Sequence, residues 1–92
     1  MYKLRIPEYL VKFIRELHPE LKKKIRGSLK IITKNPDSGK PLKDELAGLR
    51  SIRVRRFRII YRIEGPEEIQ IIAIGPRTSI YEETYRLIKK EK

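Results

Sequence analysis

The chain has 92 residues and no cysteine, and 23 Lys and Arg set against 12 Asp and Glu leave a net charge of +11. With 39% hydrophobic residues it carries enough apolar material for one small globular domain, residues 1–92, which excludes disorder, disulfides and thiolate chemistry. No stretch reaches the length of a membrane span, and the opening MYKLRIPEYL lacks the apolar core of a signal peptide, so the expectation is a cytoplasmic protein.

In chain order, residues 2–6 (YKLRI) alternate as a short strand does. Pro7 suits the first turn of a helix, which Leu10, Phe13, Ile14 and Leu17 extend at helical spacing. His18-Pro19 ends it. Pro19 opens a second helix with an apolar stripe of Leu21, Ile25, Leu29 and Ile32, stopping before Pro36. Gly27, inside that helix, costs about 1 kcal/mol relative to alanine, which a close helix contact would explain. Residues 35–41 (NPDSGKP) read as loop, and Leu42, Leu46 and Leu49 lead into an arginine-rich segment. After it come a turn (EGPEE, 64–68) and a strand at 69–74, apolar on both faces and so expected inside a sheet. Beyond Gly75-Pro76, Ser79 and Glu82 have the capping-box spacing of a terminal helix over about 80–89. The fold class is α+β. An N-terminal strand and a two-helix hairpin pack on a twisted, mainly antiparallel sheet of about four strands, with a C-terminal helix.

The arginine-rich segment, RSIRVRRFRIIYRI at 50–63, holds six arginines and no acid. Ile52 and Val54 fall on even positions, whereas Phe57, Ile59, Tyr61 and Ile63 fall on odd ones. Side chains alternate along a strand, so one uninterrupted strand cannot put both sets on one face. A hairpin turning at Arg55-Arg56 resolves the conflict. Val54 then faces Phe57, Ile52 faces Ile59, and on the other side Arg53 stands across from Arg58. Like charges across a ladder are destabilising, which argues for a polyanion between Arg53 and Arg58. A field of +11 favours nucleic acid, an acidic protein partner, or both, over a membrane surface. Arg55 and Arg56 read instead as a solvated loop.

Arg77 stands where the last strand gives way to the terminal helix, and Tyr81 falls in that helix's first turn, where backbone N–H groups favour phosphate. If that strand end abuts the hairpin, Arg53, Arg58, Arg77 and Tyr81 surround one phosphate. Tyr81 and Tyr85, at i and i+4, also fit packing on the sheet, the reading adopted for Tyr85. Other chemistry has no foothold. His18, the only histidine, reads as a cap or linker residue, and there is no Ser/His/Asp set, metal-ligand spacing or Gly-rich phosphate loop. Neither a metal nor a cofactor is expected.

LAGLRSIRVRRFRIIYRI followed by IGPRTSIYE resembles the RelE/ParE superfamily of toxin–antitoxin toxins, and the similarity runs over about residues 3–85. The resemblance implies a ribosome-dependent mRNA endonuclease that cleaves in the ribosomal A site. In that chemistry the RNA 2′-OH attacks the adjacent phosphate, without metal, to leave a 2′,3′-cyclic phosphate. By position, Arg53, Arg58, Arg77 and Tyr81 correspond to the family's active-site basic residues and tyrosine. Arg58 and Arg77 would stabilise charge on the phosphorane, Arg53 would polarise the nucleophile or hold the phosphate, and Tyr81 would orient the 2′-OH or move its proton. Arg50, Ser51, Arg55, Arg56 and Arg62 would contact RNA around them. The implied partners are the ribosome with its mRNA and an acidic, partly disordered antitoxin. The alternatives are a ParE-like inhibitor of DNA gyrase that acts by binding, and a catalytically inactive basic RNA-binding module. The chain departs from the pattern in three places. Ser51 replaces a residue often basic in RelE-like members, and Pro76 stands where many relatives have His. Arg55-Arg56 replace a common Gly-Asp, which predicts a turn wider than two residues.

Overall fold

Alternation in the second half of the chain assembles the sheet, and the two faces so defined decide where each helix lies. The computed structural model describes residues 2–90. Five strands, β1 (Lys3–Arg5), β2 (Lys40–Pro41), β3 (Arg50–Val54), β4 (Phe57–Glu64) and β5 (Glu68–Pro76), form one sheet in the order β1-β5-β4-β3-β2. Only β1 runs parallel to its neighbour, β5; the other pairs are antiparallel. The helices are α1 (Glu8–Arg15), α2 (Pro19–Lys34) and α3 (Ile80–Lys90). The fold is α+β as expected, with five strands where about four were anticipated. The extra one is β2, two residues inside NPDSGKP, too short to show a period. Pro41 has no N–H to offer and is tolerated because β2 is an edge strand.

α1 and α2 cover one face. Leu10, Ile14, Ile25, Leu29 and Ile32 pack on Val54, Ile59, Tyr61, Ile69, Ile71 and Ile74. α3 covers the other, where Ile80 joins Leu49, Ile60, Ile72 and Ala73, with Tyr81, Leu87 and Ile88 against them. The unbroken apolar run in β5 serves both faces through a β-bulge. Ile60 pairs with Ala73 and Tyr61 with Ile71, which makes Ile72 the extra residue. A bulge breaks strict alternation, so Ile71 and Ile74 face the helical hairpin while Ile72 and Ala73 both face α3.

Local chemistry fixes the joints. His18 caps α2, its Nδ1 accepting the Glu20 N–H at 3.2 Å, and Pro19 occupies the first turn. Gly27 makes no close helix contact, because a Cβ there would meet nothing within 4 Å. The β3–β4 turn is two residues long, not wider: Val54 pairs with Phe57, and Arg55 takes the left-handed conformation at φ 57°. Two bonds hold that turn, from Arg53 Nε to the Arg55 carbonyl (3.0 Å) and from the Arg77 N–H to the Arg56 carbonyl (2.9 Å). The 35–41 loop is clamped by Tyr61, which is fully buried; its hydroxyl donates to the Pro36 carbonyl (2.6 Å) and accepts the Gly39 N–H (2.9 Å). Gly39 has to be glycine, since a Cβ would collide with that hydroxyl.

Candidate functional site

The register places Arg53 opposite Arg58, as the alternation predicted, and sets Arg58 beside Gly75 on β5. Strict alternation on β3 puts Ser51 and Arg53 on the face that α3 covers. Ser51 is 2% exposed. Its Oγ accepts the Arg58 Nη1 donor at 3.1 Å and lies 3.4 Å from the Tyr81 hydroxyl, a long contact. The Arg58 guanidinium carbon sits 5.9 Å from the centre of the Tyr81 ring, within cation–π range. One hydroxyl thus joins the strand arginine to the helix tyrosine. Gly75 lets α3 begin this close to the sheet: a Cβ there would stand 3.0 Å from Ile80 Cδ1 and 3.4 Å from the Glu83 carboxylate.

The remaining candidate residues divide. The Arg77 backbone is bonded to Arg56, which brings the start of α3 to the hairpin end carrying Arg53 and Arg58. Arg55 and Arg56 are exposed at that end and line a shallow cavity of about 260 Å³ with His18, Glu20, Leu21 and Phe57. Arg50 is engaged elsewhere. Its Nη1 donates to the Gly39 carbonyl at 2.8 Å, and its guanidinium lies 3.4 Å from the Asp37 carboxylate, so it ties the loop to β3. Arg62 is also held within the sheet, at 2.6 Å from Glu64 and 3.0 Å from Gln70. Ser51 is a buried link between Arg58 and Tyr81 and not a surface contact. Residue type alone did not reveal that role, although its shared strand face with Arg53 pointed to it.

The arrangement offers fixed cations and the Tyr81 hydroxyl to an anion, with the buried Ser51 behind them. Guanidinium groups stay protonated and supply several N–H donors, and hydroxyls donate or accept. Among the described residues no group of three or more His, Cys, Asp or Glu side chains comes together to hold a metal ion. No helix among them is long and apolar enough to cross a membrane. Burial, and secondarily the Glu83 carboxylate, raise the Tyr9 phenol above its ordinary 10.0. Its hydroxyl donates to the Ile72 carbonyl at 2.8 Å, at the β5 bulge.

A small mixed sheet thus carries a helical hairpin on one face and, on the other, an arginine–serine–tyrosine cluster under a terminal helix. Residues 3–81 match the family described as the ParE toxin of type II toxin–antitoxin systems, parDE. The chain belongs to the RelE/ParE toxin family. Among solved structures it is similar to a chain of the RelBE2 toxin–antitoxin complex from Mycobacterium tuberculosis, at 26% identity and TM-score 0.70, over 83% of this chain and 98% of that one. It shares the fold of a mutant E. coli RelE toxin in the free state, at 20% identity and TM-score 0.75, over 98% and 96% of the two chains. The RelE mutant in complex with an antitoxin RelBc peptide also shares it, at 19% identity and TM-score 0.67, over 89% and 92%. No curated protein matches the chain.

Proposed function

We propose that this toxin is a metal-independent endoribonuclease that cuts mRNA in the A site of the ribosome, with Arg53, Arg58, Arg77 and Tyr81 at the scissile phosphate. The observation that carries the reading is the Arg58 guanidinium, bonded to Ser51 and set against the Tyr81 ring, with Arg53 across the ladder. The 2′-OH attacks the adjacent phosphorus as the bond to the 5′ oxygen breaks, leaving a 2′,3′-cyclic phosphate and a 5′-hydroxyl. The proton lost by the 2′-OH ends on the departing 5′ oxygen. Negative charge grows on the phosphorane oxygens, where Arg58 and Arg77 stabilise it. Arg53 holds the phosphate. The Tyr81 hydroxyl orients the 2′-OH and relays its proton. Ser51 positions both partners. Contact with the flanking RNA falls to Arg55 and Arg56 at the exposed turn, while Arg50 and Arg62 brace the strands behind it.

Two relatives are described as complexes of toxin with antitoxin, which supports a cognate antitoxin here. An acidic chain complements a toxin of net charge +11 and would fold on its basic surface. A function on ribosome-bound message makes the protein cytoplasmic. Primer extension on mRNA in a purified translation system, with wild type beside Arg58→Ala and Tyr81→Phe, tests the reading. Removing one preorganised charge-stabilising donor costs about 10²- to 10³-fold in rate, so Arg58→Ala should abolish visible cuts. The family match, described as ParE toxin, favours a second reading, inhibition of DNA gyrase by binding. Folded, antitoxin-free toxin that leaves mRNA intact and blocks gyrase supercoiling would replace the first reading with this one.

A further inference from the structure

The exposed side of α2, across the sheet from Tyr81, carries a second cationic surface that the proposed reaction does not use. Lys22, Lys23, Arg26 and Lys30 surround a notch of about 410 Å³ bordered by Pro19 and Gly27. Glu20 is the only acid in α2, and the ion pairs among the described residues engage Arg5, Arg50, Arg62 and Arg86, none of these four. Glycine inside a helix is about 1 kcal/mol less favourable than alanine. Packing does not ask for it here, because a Cβ at position 27 would meet no atom within 4 Å. What the missing side chain does is keep the space between the cations open. Helix stability is lost and like charges are gathered, and an entering anion offsets both.

We propose that this notch seats the sugar–phosphate backbone of folded RNA. Lys22, Arg26 and Lys30 recur every four residues and so stand about 6 Å apart along the helix axis, an interval comparable to that of successive phosphates. The lining has no aromatic or large apolar anchor of the kind on which protein interfaces centre. Charge and N–H donors alone suffice for a phosphate backbone. The notch and the Arg58 site face opposite ways on a molecule of 34 × 30 × 22 Å, so they engage different segments of nucleic acid. One grips structure while the other reaches a single strand. The choice of RNA over DNA rests on the endonuclease reading; the notch itself does not.

The test is fluorescence anisotropy of the full chain with a short blunt RNA duplex across a salt series, with a DNA duplex of matching sequence as second probe. The Lys23→Gln/Arg26→Gln/Lys30→Gln variant should bind RNA about tenfold or more weakly. Its log–log salt slope should fall by about 2 to 3, at about 0.9 for each phosphate that is no longer neutralised. A Lys3→Gln/Lys12→Gln/Lys43→Gln control removes the same charge from exposed positions outside the notch and should stay close to wild type. Equal weakening in both variants would overturn the proposal, since the overall field would then do the binding. Gly27→Gln fills the notch and raises helix propensity, so it should melt higher and bind RNA more weakly; unchanged affinity would also overturn the proposal. Tighter binding of the DNA probe would overturn the assignment to RNA. Displacement of RNA by polyglutamate at lower concentration than by RNA itself would give the surface to an acidic protein. A wild type that cuts no mRNA but whose notch variant still loses duplex binding supports the notch and fails only the endonuclease reading.

Discussion

Ser51→Ala removes one oxygen from the centre of the site and little else. The side chain is 2% exposed, its hydroxyl accepts from Arg58 at 3.1 Å, and its ladder partner is Ile60, whose pairing is backbone. A hydrogen bond to a charged group contributes about 1.5–3 kcal/mol net. If all of that holds the guanidinium where charge develops, the chemical step slows by about 10- to 150-fold. Stability should fall by only about 1 kcal/mol, because a half-buried guanidinium regains water when its partner is removed. Single-turnover cleavage of ribosome-bound message, measured over a range of toxin concentrations, separates the possibilities. The expected result is a lower maximum rate at unchanged half-saturation, with activity largely restored in Ser51→Thr, which keeps the hydroxyl. A folded Ser51→Ala toxin cutting within about twofold of wild type would refute the positioning argument. So would a variant that loses only half-saturation, since Ser51 would then be an RNA contact.

Three further outcomes follow from the fold. Tyr61→Phe leaves the Pro36 carbonyl and the Gly39 N–H without their buried partner. At about 1–3 kcal/mol per unsatisfied group, urea unfolding should show a total loss of about 2–6 kcal/mol at constant m-value; a loss under about 1 kcal/mol would mean that water replaces the hydroxyl. Arg55→Gly relieves a left-handed residue at φ 57° and should stabilise by about 1 kcal/mol, seen as a higher melting temperature; a lower one would show that the side chain contributes more than its backbone costs. The Tyr9 phenol, raised above 10.0 by burial and then by Glu83, keeps its proton in the folded protein at a pH where the unfolded chain has lost it. Its contribution is therefore whole below pH 10 and is lost as pH rises through the raised folded value. Tyr9→Phe should flatten the decline in stability above pH 10, and an identical decline in both proteins would count against this assignment.

The hairpin was legible because two parity classes of apolar residues admit only one register, and that register fixed Arg53 against Arg58. The His18 cap was legible from a lone polar residue before proline. What the sequence hid depends on contacts between distant segments. Tyr61 holds a loop 22 residues away, and nothing in its strand pattern separates a clamping hydroxyl from a core ring. The β5 bulge is invisible in a run of isoleucines, since an apolar run offers no parity to break. Gly27 misled because a helical glycine reads as a packing device, and only the space around it shows that nothing packs there. The ties that Arg50 makes to Asp37 and Gly39, and Arg62 to Gln70, were likewise hidden, because those acceptors lie 8 to 13 residues away.

The arginines of this chain separate by the kind of partner they have. Arg50 and Arg62 reach carboxylates, at Asp37 and Glu64, which cancel charge as well as fix position. Arg53 and Arg58 reach neutral oxygens instead, the Arg55 carbonyl and the Ser51 hydroxyl. A neutral acceptor orients a guanidinium and leaves its field intact, and the field is what a developing phosphorane requires. The distinction can be tested at one atom. Ser51→Asp would place a carboxylate where the hydroxyl now accepts, holding Arg58 at least as firmly through a charge-assisted bond but neutralising it. If position alone mattered, this variant would outperform Ser51→Ala. Should the field matter, it will keep its fold, by melting temperature, and cut more slowly than Ser51→Ala in the same single-turnover assay. Faster cutting by Ser51→Asp than by Ser51→Ala would therefore sink the electrostatic account of the site while leaving its geometry standing.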